Sequence, residues 1–171
     1  MIYRIGCTIG LIGGAVFVLV NRSPLPSAWS ITALVAWVLL ACAAVWAVWI
    51  RRRPDGETLE TPAPRAGAIY GFACLGMVLL IALGSRLLNA MDQATAVPSL
   101  VAMAVGLHFL PFSHAFRAPF FLRLGTVLAV IGAAGIVADF TLGSPAGAAA
   151  AVLAGLCMTA LITFDALRTR D

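Results

Sequence analysis

The chain has 171 residues, of which 62% are hydrophobic and 11% charged, with a formal net charge of +4. A soluble domain carries roughly 25% charged residues, so this composition belongs in lipid and excludes a soluble catalytic or nucleic-acid-binding domain. All eleven basic residues are arginine, and their excess over acids is read as membrane topology rather than attraction for nucleic acid.

Six apolar runs are predicted as spans, at residues 5–20, 28–50, 66–88, 97–112, 120–140 and 146–164. A helix needs about 20 residues to cross about 30 Å of hydrocarbon. The first and fourth runs are short, and need their flanks or a thinner bilayer. Lipid offers no partner to backbone N–H and C=O groups, and the runs lack the alternation of barrel strands, so each must be a helix. The expected fold is all-α, a polytopic transmembrane helical bundle of six spans, with residues 1–171 forming one integral membrane domain.

The first span opens with Arg4-Ile5-Gly6 and runs to Ser23-Pro24. A rival reading makes it a cleaved signal peptide, with the small residues of SPLPSA before Trp29. The second span holds Trp29, Trp37, Trp46 and Trp49; Trp29 and Trp49 near its ends suit interfacial anchors. Residues 51–65, RRRPDGETLETPAPR, form a charged loop too short to be a domain. The remaining connections are brief.

If the spans alternate in direction, Arg4, Arg51, Arg52, Arg53, Arg65, Arg117, Arg123, Arg168 and Arg170 emerge on one side, and Arg22 and Arg86 on the other. Basic loops stay in the cytoplasm. Both termini are therefore expected there, in the inner (plasma) membrane of a bacterium.

The odd-numbered spans begin alike, as Arg-x-Gly-x-x-x-small: Gly6 and Gly10, Gly67 and Gly71, Gly125 and Ala129. Gly14 continues the first stripe and Ala133 the third, and Gly147, Ala151 and Gly155 make a similar stripe in the sixth span. Small residues four apart open a groove into which a neighbouring backbone can press, and such contact drives association where hydrophobicity cannot. The repeat suggests three helical hairpins in one orientation; abundant glycine and alanine supply part of the same pattern.

Ionisable groups inside hydrocarbon are costly and need a partner or an interfacial position. Arg86, near the outer end of the third span, can snorkel to the headgroups or pair with Asp139 near the outer end of the fifth. No carboxylate is expected deep in the interior.

The deepest titratable group is His108, in Gly106-Leu107-His108-Phe109-Leu110-Pro111. Pro111 has no N–H and crowds the Leu107 carbonyl, so the helix should kink and leave that oxygen without its helical donor. A bare carbonyl beside an imidazole can hold a water, a hydroxyl or an ion. It can equally be satisfied by a neighbouring side chain, and His108 can equally be a neutral ring bonded to a nearby helix. His114 lies about 120° further round an ideal helix and belongs with Arg117 and Arg123 to a basic cytoplasmic rim suited to anionic lipid. The histidines lack the spacing of a metal site, and the isolated Cys7, Cys42, Cys74 and Cys157 read as small core residues. No cofactor is implied.

The hexapeptide resembles a G-L-H-F-[LI]-P signature of small, uncharacterised multi-pass bacterial membrane proteins. The resemblance covers one helix, with His108 and Pro111 at its marked positions, and implies no activity, substrate or cofactor.

Three functional classes follow. The first is a non-catalytic membrane subunit that assembles with itself or a membrane partner through the small-residue grooves. The second is a small transporter or proton/cation pathway using His108, the Leu107 carbonyl and the hydroxyls of Thr159 and Thr163. The third, an intramembrane enzyme or redox protein, lacks Gly-x-Ser-x-Gly, His-Glu-x-x-His and an opposed histidine pair for haem.

Overall fold

A computed structural model describes residues 2–51 and 64–168. Most of the charged loop, residues 52–63 with Arg52 and Arg53, lies outside the described residues, as does Arg170. The described chain is all-α: α1 (Ile2–Asn21), α2 (Ser27–Val45), α3 (Ala66–Ala90), α4 (Val97–Ala115), α5 (Pro119–Leu142) and α6 (Ala146–Arg168). A π-helical turn, Trp46–Arg51, extends α2, and a 3-10 turn, Ala94–Ala96, leads into α4. All six helices are long and apolar enough to cross a membrane, as a multi-pass membrane protein requires.

The two short runs gain their missing length at their ends. The fourth covers Ala94–Ala115, 22 residues, once the 3-10 turn is included; that is more than 30 Å of helix. Pro111 does not end α4, which continues past it to Ala115. The turns use compact geometry. Asp92 and Arg117 adopt positive φ of 57° and 50° in the α3–α4 and α4–α5 connections. Gly143, at φ 75°, closes α5, and its N–H returns to the Asp139 carbonyl at 2.8 Å.

The chain packs as two compact units, Met1–Thr58 with Val152–Asp171, and Leu59–Ala151. In the first, Val18, Ala33 and Val152 form a buried cluster against which Leu25, Trp37 and Leu156 pack. Gly14 and Gly155 bring α1 and α6 together: a β-carbon built on Gly155 would lie 2.7 Å from the Gly14 carbonyl oxygen, and one on Gly14 2.6 Å from Thr159 Oγ1. Gly10 packs against Ile162.

In the second unit, Leu88, Ala96 and Leu100 are buried together, flanked by Leu80, Met103 and Ile136. In it α4 packs extensively against α5, helices that the three-hairpin repeat assigns to different hairpins. They run antiparallel, and glycines let the two backbones meet at several points along the seam. A β-carbon on Gly106 would strike the backbone of Ala129, one on Gly132 the backbone of Met103, and one on Gly135 the side chain of Ser99. One on Gly125 would sit 2.8 Å from the Gly106 carbonyl oxygen. Contact this close gains dispersion energy where lipid and protein are equally apolar.

Elsewhere the surface suits lipid. Ile9, Val16, Ile31, Leu39, Phe72, Leu83 and Val137 are large, apolar and exposed. In water such a surface would aggregate.

Candidate functional site

Two polar centres lie within the second unit. One surrounds Asp139. Its side chain is 1% exposed, placed by the last turns of α5 between the 3-10 turn and the start of α6. Thr95 Oγ1 donates to Oδ2 at 2.6 Å, and the Gly147 backbone N–H donates to Oδ1 at 2.9 Å. Ser99 Oγ, also buried, donates to the Gly147 carbonyl at 3.0 Å. A carboxylate against the first turn of α6 satisfies an otherwise unpaired N–H and faces the positive end of the helix dipole. Gly147 makes this possible by lacking a side chain, since a β-carbon there would meet the Thr95 carbonyl oxygen.

This arrangement corrects two expectations. Asp139 does not pair with Arg86: the carboxylate is turned inward to Thr95 and Gly147, while Arg86 is exposed on α3. The interior also holds a carboxylate after all. The chain stabilises it with neutral donors and a helix end, so no cation is needed.

The other centre surrounds His108, which is half-buried on α4. Its Nδ1 lies 2.5 Å from the Val105 carbonyl oxygen, one turn back on the same helix. A carbonyl can only accept, so Nδ1 carries the proton, and in the neutral ring Nε2 is an acceptor. The neighbouring-helix bond expected for a structural histidine is thus replaced by a bond within α4. Phe109 and Phe112 hold the ring, with centroids at 4.2 Å and 5.1 Å, the latter edge-on. Tyr70 of α3 stacks on Phe112 at 5.2 Å, and Phe121 of α5 stacks on Phe109 at 5.9 Å.

Beside this aromatic cluster is a groove of about 180 Å³, lined by Gly76, Met77 and Leu80 of α3 and by Leu107, His108 and Pro111 of α4. The structure therefore brings together three of the four predicted polar-site residues. The fourth, His114, is exposed, with Nδ1 3.2 Å from Ser113 Oγ. The Ser113 hydroxyl donates instead to the Leu110 carbonyl at 2.8 Å, so the pair is not arranged as nucleophile and base.

The hydroxyls proposed to continue a pathway are occupied. Thr159 donates to the Gly155 carbonyl at 3.0 Å and Thr163 to the Thr159 carbonyl at 2.9 Å, both within α6.

The packing glycines divide. Gly10, Gly14, Gly125, Gly147 and Gly155 meet other helices closely, Ala129 lies under Gly106, and Ala151 is fully buried. Gly6, Gly67 and Gly71 have nothing within 4 Å of where a β-carbon would stand. A small-residue stripe permits close approach and does not itself supply the partner. Sequence reading missed Thr95, Ser99, Gly132 and Gly135, and also the aromatic cluster, which Phe109, Phe112 and Phe116 signal by their i, i+3, i+7 spacing.

No protein-family model, curated protein or solved structure matches the chain.

Proposed function

We propose that this chain is a non-catalytic multi-pass subunit of a bacterial inner membrane, with both termini in the cytoplasm. It works by assembling with a second copy or a membrane partner through small-residue faces that its own fold leaves open. Membership among small bacterial membrane proteins bearing the G-L-H-F-[LI]-P signature is part of the same proposal. One observation carries the reading: Gly6 on α1 and Gly67 and Gly71 on α3 have open space above them, whereas Gly10 on α1, Gly125 on α5 and Gly147 and Gly155 on α6 are packed. The internal bonding of Asp139, Ser99, Thr159 and Thr163 also supports a structural role.

The test uses the intact protein in nanodiscs, its stoichiometry read by native mass spectrometry. Gly67→Leu with Gly71→Leu should dissociate the assembly while helical content is unchanged. Gly10 is unsuitable for this purpose, because Ile162 already occupies its face. A monomeric wild-type protein that captures no membrane partner by crosslinking at position 71 would end the proposal.

The second reading, a small transporter or proton/cation pathway, draws support from the groove beside His108 and the buried carboxylate of Asp139. It requires a pH-dependent flux in liposomes that His108→Ala abolishes.

A further inference from the structure

The groove beside His108 has a definite hydrogen-bonding character. Its lining residues are apolar apart from His108, and two of those on α4 carry acceptors. The first is His108 Nε2, since Nδ1–H is committed to the Val105 carbonyl. The second is the Leu107 carbonyl oxygen, whose usual donor four residues on is replaced by Pro111; Leu107, His108 and Pro111 all line the space. Acceptors on two adjacent residues, with no donor of their own, call for a ligand that brings a proton to share.

Size narrows the class further. The groove measures about 180 Å³, and an apolar cavity of roughly 150 Å³ takes up benzene. One aromatic ring with a short substituent fits; a drug-sized molecule, which needs a pocket of roughly 300 Å³ or more, does not. Gly76 widens the groove on the α3 side, where nothing stands within 4 Å of a built β-carbon. The Phe109 and Phe112 rings that hold the imidazole set its tilt without a ligand, so little ordering remains to be done on binding.

We propose that this groove binds a single-ring, lipid-soluble phenol, whose hydroxyl donates to His108 Nε2 while the ring lies between α3 and α4. A partner helix presenting a tyrosine shares this chemistry, but a helix face needs a longer and flatter contact than a ring-sized hollow. The inference stands apart from the assembly reading, because neither Gly67 nor Gly71 is among the residues that line the groove.

The experiment measures saturation-transfer NMR of three probes with the intact protein in nanodiscs: 4-propylphenol, 4-propylanisole and propylbenzene. All three carry the same ring and chain; the phenol alone donates a hydrogen bond. Saturable binding is expected at one phenol per chain, at least tenfold tighter than either of the others. Gly76→Phe should abolish it by filling the groove, and His108→Leu should bring the three probes to within about twofold of one another. Equal affinity of phenol and anisole in the wild type would overturn the proposal, as would phenol binding left intact by both variants. Should Gly76→Phe lose its helical content, Gly76→Val and the probe ratio in His108→Leu decide the matter in the same terms. Failure of these probes leaves the oligomer measurement untouched, so the two readings fall separately.

Discussion

Asp139 and His108 are both ionisable residues within membrane-spanning helices of one packed unit, yet their surroundings are opposite. Both Asp139 oxygens receive donors from other elements, Thr95 before α4 and Gly147 at the start of α6. The imidazole bonds to its own helix and borders an open groove. A buried polar group whose bonds run between helices acts as a fastener, because breaking it leaves several groups unsatisfied at once. One whose bonds stay local, with an acceptor facing space, contributes little to stability and keeps capacity for a visitor. Cost and conspicuousness in the sequence therefore do not coincide: the histidine-proline motif stands out, and the quieter aspartate holds the unit together.

The sharpest way to break this contrast is to remove each group in turn. Asp139→Leu strands the Thr95 hydroxyl and the Gly147 N–H in the interior, and should cost about 3–5 kcal/mol, since buried bonds to a charged acceptor are worth roughly 1.5–3 kcal/mol each. Thr95→Val, which leaves one carboxylate oxygen unpaired, should cost about 1–3 kcal/mol. His108→Leu should change stability by less than about 1 kcal/mol, as its bond is a single local one. Reversible unfolding in mixed micelles measures all three. Equal losses at Asp139 and His108 would erase the distinction drawn here.

A second comparison concerns glycines that look alike in sequence. Gly132→Ala drives a methyl group into the Met103 backbone and should destabilise by about 1–3 kcal/mol, the usual penalty of overpacking. Gly71→Ala meets open space in the isolated chain and should stabilise the helix by roughly 0.5–1 kcal/mol. Opposite signs are expected from one chemical change. If the assembly proposal holds, Gly71→Ala will also weaken the oligomer, and the two effects separate by dilution.

The difference between those glycines shows what could be read from the sequence. Six spans and the all-α class follow from apolar run length alone, because lipid forces backbone bonds inward whatever the packing. Packing faces depend on angle, and the four-residue stripe misjudges it. Each four-residue step turns about 40° past a full circle on an ideal helix, so Gly125, Ala129 and Ala133 drift from buried to exposed. The observed seam on α5 alternates three and four: Gly125, Leu128, Gly132, Gly135 and Asp139 are all buried. That is the 3.5-residue spacing of helices that stay in contact over several turns. The same alternation, Cys7, Gly10, Gly14 and Phe17, follows the packed side of α1, while Gly6 lies off it. Reading the heptad would have shown Asp139 on a helix interface and ruled out a snorkelling partner. Thr95 and Ser99 as its neighbours were beyond reach, because they depend on the register of α4 against α5.

Arg86 supplies the finest test of that register. Were it paired with Asp139, a double-mutant cycle of Arg86→Gln and Asp139→Asn would show coupling of 1 kcal/mol or more, on the order seen for groups sharing one network. With the carboxylate turned toward Thr95 and Gly147, the two substitutions should be additive to within the roughly 0.3–0.5 kcal/mol scatter of independent sites. The matching cycle of Thr95→Val with Asp139→Asn should couple strongly, because each removes a partner of the other. A result in the reverse order would move Asp139 from the α4–α5 seam to the face of α3, and α6 would lose the carboxylate at its first turn.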